Sequence, residues 1–173
     1  MPRLFRCPAV VGKVILIADD NDIDAFAISK TLTKAGIKNS SKRVSDGAEV
    51  IAYFKGDGQY ADRKKFPLPS VLLLDLDMPR IGGFAVLEWL NDRRAAQNGM
   101  LVVIVSGSYN DENLRRAFLL GVRSFFIKPC TVNDIWTLAQ AYPSFLQMDP
   151  IGESVGMASG KSRTGGSRVG DSR

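Results

Sequence analysis

Apolar residues along this chain gather into short bounded runs, separated by longer stretches in which they recur every three or four positions. The runs are Val14 to Ala18, Val71 to Leu74, Leu101 to Val105 and Phe125 to Ile127. Runs so short and so uniformly apolar predict strands buried on both faces, as in a parallel sheet covered by helices. The helical spacing falls between them. Ile23, Phe26, Ala27, Leu32 and Ala35 predict one amphipathic helix with those residues inward, and Gly36 follows as its stop. Phe84, Leu87 and Leu90 repeat the spacing, and so do Leu114, Ala117, Phe118 and Gly121, with Asp111 placed to cap that helix. A weaker strand around Lys42 to Ser45, a helix over Ala48 to Phe54 and a last helix from near Thr131 complete five strand-helix units. Alternation of this kind predicts a doubly wound α/β domain. The stretch Lys55 to Ser70, rich in glycine, charge and proline, is long for a connection and predicts an exposed excursion before the third strand.

Composition narrows the chemistry open to such a domain. The chain has 173 residues, 45% hydrophobic and 24% charged, enough for one globular domain with slack at the ends. It has no histidine, so histidine triads, imidazole proton shuttles and most zinc and haem sites are excluded. Cys7 and Cys130 are too few for a disulfide scaffold and lack zinc-ligand spacing. No apolar run reaches 18 residues, and the N-terminus lacks the apolar core of a signal peptide, which predicts a cytoplasmic protein without a membrane segment. The net charge of +5 sits in the ends: seven of the 23 basic residues but only two of the 18 acids lie outside 14–150, which leaves sixteen of each inside. That body has no basic stripe with interleaved aromatics, so nucleic acid is not an expected partner. Six glycines and five serines among the 23 residues from Ile151 predict a disordered tail. The expected division is an extension over 1–12, a folded domain over 13–148 and the tail over 149–173.

In an open parallel sheet, ligand groups collect beyond the carboxyl ends of the strands. Asp19 and Asp20 follow the first run, Asp75 and Asp77 the third, Ser106 the fourth, and Lys128 with Pro129 the last. Clustered acids repel one another unless a cation compensates, and hard oxygen ligands suit Mg²⁺. A lysine beside such a centre can balance charge on phosphate oxygens, and a hydroxyl can donate to one of them. The set points to phosphoryl chemistry at a divalent metal site.

The segments ILIADDNDIDA, VLLLDLDMPRIGGFAVLEWL, VVIVSG and SFFIKP, in this order and each at a strand end, resemble the receiver domain of two-component response regulators. The resemblance covers roughly Lys13 to Met148. It implies a flavodoxin-like fold of five parallel strands in the order 2-1-3-4-5 with five helices. It also implies that Asp75 takes a phosphoryl group from a histidine kinase. Asp19 and Asp20 match the acidic pair that holds Mg²⁺ or Mn²⁺ together with Asp75, and Asp77 matches the position that lends its carbonyl. Ser106 matches the switch hydroxyl and Lys128 the phosphate-facing lysine, followed by Pro129, often in a cis peptide bond. Phe125 matches the switch aromatic, often tyrosine, and Gly82-Gly83 departs from the commoner Asp-Gly.

The excursion with the strand after it, GDGQYADRKKFPLPSVLLLDLDMPR, resembles small single-domain regulators of the cyanobacterial phytochrome type, which pair with phytochrome-like histidine kinases. Output then rests on protein contact. Ile135, Trp136, Leu138, Tyr142, Phe145 and Leu146 offer more apolar surface than one sheet face needs, which predicts a homodimer through the fourth helix, fifth strand and fifth helix. The rival reading is an aspartate-nucleophile, haloacid-dehalogenase-like phosphatase, because Asp75-Leu76-Asp77 also reads as its D-x-D. That family carries the motif on its first strand, whereas here it lies on the third and continues into Met78-Pro79. A flavodoxin-like nucleotide binder would need a glycine-rich turn where this chain has Asp19-Asp20-Asn21-Asp22.

Overall fold

A computed structural model describes residues 14–93, 99–108 and 110–148. The expected extension over 1–12 and tail over 149–173 lie outside the described residues, as does Cys7. Among the described residues, β1 (Val14–Ala18), β2 (Ser40–Val44), β3 (Val71–Leu74), β4 (Leu101–Ser106) and β5 (Ser124–Ile127) form one sheet in the order β2-β1-β3-β4-β5. Every pairing is parallel. Among the same described residues, five α-helices alternate with them: α1 (Asp22–Lys34), α2 (Gly47–Lys55), α3 (Gly83–Asp92), α4 (Asp111–Leu119) and α5 (Val132–Ala141). This is the doubly wound fold and strand order that the resemblance implies.

Alternation along each strand separates two cores. Ile15, Ile17, Leu73, Val103 and Val105 face α1 and α5, where Ile28, Leu32, Ile135 and Leu138 close over them. Leu16, Leu72, Leu74, Val102 and Ile104 face the other way, against Val50, Tyr53, Val86, Leu87 and Leu90. β1, β3 and β4 are buried along their whole length, which is why they stand out as apolar runs. β2 is an edge strand of sequence SSKRV with only Val44 buried, and it begins two residues before the expected Lys42. Its signal is weak because pairing with β1, not burial, makes it a strand.

Four expectations need correction. The buried face of α1 is Ala25, Ile28 and Leu32, while Ile23 and Phe26 are 76% and 62% exposed. Both sets keep helical spacing, and the phase is settled by Asn21, whose side chain caps Ile23 and Asp24 and fixes how the helix leaves the sheet. The cap of α4 is Asn110, not Asp111, and Phe118 on that helix is exposed. The Lys55 to Ser70 stretch is organised rather than loose. It contains a 3₁₀ turn at Gly58–Tyr60 with Tyr60 buried against Tyr53 and Phe66, and Arg63 donates to the carbonyls of Tyr53 and Phe54 at the end of α2. Most of the apolar surface assigned to the last helix is internal: Ile135, Leu138 and Leu146 are core, and Tyr142 and Phe145 pack on it. After Pro143 the chain turns back beneath α1, where Lys38 donates to the Gln147 carbonyl and Asn39 to that of Phe145.

Candidate functional site

The carboxyl edge of the sheet brings together side chains from three strands. β1 and β3 are neighbours, and the Asp75 amide donates to the Ala18 carbonyl at 2.9 Å, so the residue after β3 sits beside the turn after β1. Asp19 is 1% exposed and Asp75 5%, while Asp20 faces solvent. One oxygen from each of Asp19, Asp20 and Asp75 lies within 4.8 Å of the others.

Lys128 reaches this group from the end of β5. Its Nζ donates to Asp75 Oδ2 at 2.8 Å and to Asp24 Oδ2 at 3.0 Å. Asp19 Oδ2 is also 2.8 Å away, but off the direction a hydrogen bond needs, so this buried oxygen has charge contact and no hydrogen bond. Burial alone would lower the lysine's pKa, yet its contacts with Asp19, Asp75 and Asp24 outweigh that and raise it. Burial raises the Asp19 carboxyl, against the pull of Lys128 and the Asn21 amide. The peptide bond from Lys128 to Pro129 is cis.

The backbone at each strand end is stitched to its neighbour. Lys128 N–H donates to the Ser106 carbonyl at 2.8 Å, which holds the end of β5 against β4 and buries Ser106 completely. Asp77 N–H donates to Asp75 Oδ1 at 3.1 Å, while the Asp77 side chain points to solvent and stands apart from the three clustered carboxylates. Phe125 is half-buried on β5 and packs on the core shared with α3 and α4. Cys130 is free and buried, and its thiol is pushed up to about 12 by burial and by Asp134, which makes it packing rather than a nucleophile.

Three features near the site were not anticipated. Asp24, one turn into α1, is a third carboxylate on Lys128, and only the helix phase reveals it. Arg43 on β2 donates to the carbonyls of Asp19 and Asp20. Arg80, in the left-handed region at φ 64°, pairs with the buried Asp46 that caps α2, and the Gly47 amide donates to the Ile81 carbonyl at 3.1 Å. These two contacts tie the loop after Asp75 to α2. Asp46 followed by Gly47 is a visible helix start, but nothing in the sequence pairs it with Arg80.

The donor set fits a divalent cation: three hard carboxylate oxygen donors, one of them carrying a buried oxygen without a hydrogen bond, close enough to share an ion.

A family model described as the response regulator receiver domain matches residues 15–140. The probable methanogenesis regulatory protein FilR2 of Methanothrix harundinacea is 30% identical over 125 residues, covering 70% of this chain and 76% of its own. The response regulator Rcp1 of Synechocystis is 26% identical over 133 residues, covering 77% and 88%. Its Mn²⁺-bound form is a solved structure with TM-score 0.61, 25% identity, and coverage of 76% of this chain and 92% of that one. The bacteriophytochrome response regulator AtBRR superposes with TM-score 0.68 at 29% identity, covering 79% and 96%. Because the family match runs from β1 into α5, and so spans every strand that builds the site, this chain belongs to the response regulator receiver domain family.

Proposed function

We propose that this protein is a single-domain response regulator that accepts a phosphoryl group on Asp75 from a histidine kinase and signals by protein contact. The observation that carries the reading is the buried Asp75 carboxylate, held by Lys128 and facing Asp19 and Asp20 at the centre of the sheet edge. A carboxylate oxygen of Asp75 forms the new bond to phosphorus as the bond from phosphorus to the kinase imidazole breaks. The product is an acyl phosphate, and the imidazole keeps the nitrogen electron pair. Lys128 is placed to neutralise the phosphoryl oxygens, as positioning and charge stabilisation dominate such transfers. Asp19, Asp20 and Asp75 would hold Mg²⁺ or Mn²⁺, with the Asp77 carbonyl as a further ligand. Bound there, the ion supplies positive charge to the transferring group. Ser106 and Phe125 form the switch pair: the hydroxyl turns toward the phosphoryl group and the ring follows into the space it leaves.

The kinase is of phytochrome type in this reading, supported by the likeness to Rcp1 and AtBRR across nearly the whole length of each. A cytoplasmic location goes with it, since the phosphoryl group originates in intracellular ATP. Among the described residues no helix is long and apolar enough to cross a membrane. The protein is then a phosphoacceptor that assists its own phosphorylation and dephosphorylation, not an enzyme with separate substrates, and no nucleic acid enters its action. Homodimerisation belongs to the same reading, with the surface now assigned chiefly to α4 and β5. There Leu114, Phe118, Phe125 and Ile127 line an apolar groove of about 350 Å³.

Incubation with Mg²⁺ and acetyl phosphate followed by intact-mass measurement tests the acceptor. One labile phosphoryl group is expected on the protein and none on Asp75→Asn. Repeated turnover of many phosphomonoesters would instead establish the phosphatase reading.

A further inference from the structure

Arg43 places a positive charge beside the turn that carries the acidic pair. It lies on β2 opposite Ile17 of β1, and its side chain reaches past the end of β1 to the turn that carries the acidic pair. Nε donates to the Asp19 carbonyl at 3.2 Å, and Nη2 donates to the carbonyls of Asp19 at 3.0 Å and Asp20 at 3.2 Å. Nη1 forms an ion pair with Asp22 in the first turn of α1. The Asp19 amide completes the attachment by donating to the Val44 carbonyl at 3.1 Å. The peptide of Asp19 is therefore held from β2 on both its N–H and its C=O, and the planar guanidinium spans two consecutive carbonyls and the helix start.

A permanent positive charge thus stands behind carboxylates whose proposed ligand is itself a cation. Coulomb repulsion opposes metal binding, more so because Arg43 is only partly exposed. Its hydrogen bonds act in the opposite direction, because they fix the two peptides that aim Asp19 and Asp20 at Asp75. Outer partners of this kind typically change metal affinity by 10–100-fold.

We propose that Arg43 is a positioning residue for the divalent-cation site, and that its orientation of the Asp19-Asp20 turn outweighs its repulsion of the ion. The inference rests on the reading of Asp19, Asp20 and Asp75 as a metal site. The two effects of Arg43 have opposite signs, so the direction of change decides between them.

Free Mn²⁺ in titrations of the full chain, followed by electron paramagnetic resonance, gives the affinity directly without any phosphorylation step. Arg43→Gln is expected to bind Mn²⁺ roughly tenfold more weakly than the unmodified chain, although it removes a repelling charge. Equal or tighter binding overturns the proposal. Arg43→Lys keeps the charge and loses the fork, and it decides the matter should the glutamine variant not fold: weaker binding supports positioning, unchanged binding overturns it. A brace that served only stability would lower the unfolding midpoint of the metal-free variants and leave Mn²⁺ affinity as it was, which also overturns the proposal. Asp20→Asn separates the underlying reading. An unmodified chain that binds no Mn²⁺, or binds it no better than Asp20→Asn does, removes the metal site itself and this inference with it.

Discussion

Lys128 and the carboxylates around it show what individual residues contribute and how they respond to pH. Its side chain is 14% exposed and touches Asp19, Asp24 and Asp75, so Lys128→Ala leaves two nearly buried carboxylates without their cation. Breaking such a buried set costs about 3 kcal/mol or more, and urea unfolding of the chelator-treated variant should show a loss of that size, partly recovered in Mg²⁺. Asp19 behaves in the opposite sense. Its carboxyl is raised by burial from an ordinary value of 3.8, so folding favours its protonated form. The stability it contributes is complete below 3.8 and is lost as the pH rises through its folded value. Asp19→Asn should therefore raise the thermal midpoint of the metal-free protein at neutral pH, and that gain should fade toward and below pH 3.8. In Mg²⁺ at neutral pH the sign should reverse, because the variant would lack one carboxylate of the proposed ion site. A metal-free midpoint that falls at neutral pH would contradict the burial argument. Asp75, Asp19 and Lys128 are legible in the sequence because each follows an apolar run. Asp24 and Arg43 are not, because one depends on helix phase and the other on an edge strand that its own residues barely signal.

At the scale of the elements, close approach of backbone segments sets the site. A Cβ added at Gly83 would lie 2.4 Å from the Asp75 carbonyl and 2.8 Å from the Leu76 Cα, so the start of α3 can press on the loop after β3 only as glycine. Gly83→Ala should cost about 1–3 kcal/mol in denaturant unfolding and slow acetyl phosphate labelling of Asp75, since the added methyl displaces the loop that carries it. Labelling at an unchanged rate would show that the loop yields elsewhere. The same scale explains why the elements differed in legibility. β1, β3 and β4 announce themselves because both faces are buried. The α1 helix shows its length but not its inward face, because Ile23 and Phe26 keep the same spacing as Ala25, Ile28 and Leu32. The segment after α2 reads as a loop because its order comes from Arg63 bonding helix carbonyls and from Tyr60 and Phe66 packing on Tyr53, none of which has a periodicity.

For the whole molecule, the proposed function requires that a phosphoryl group on Asp75 be read elsewhere on the surface. Phe118 and Ile127 remain about half exposed and Leu119 is 86% exposed, on the side of the domain formed by α4 and β5. Light scattering at tens of micromolar should show a dimer, more populated with a phosphoryl mimic at Asp75, and Phe118→Asp should return it to a monomer. A monomer in both states would remove the dimer from the functional reading. The sequence by itself determined the strand-helix alternation and the placement of acids, hydroxyl and lysine after successive strands, because burial on two faces and strand-end position leave local patterns. Only the tertiary structure decided which face of α1 turns inward, how Arg43 and Arg80 brace the two loops of the site, and where the surplus apolar surface lies. Those outcomes depend on contacts between residues far apart in the chain, where several local patterns are equally good and packing selects one.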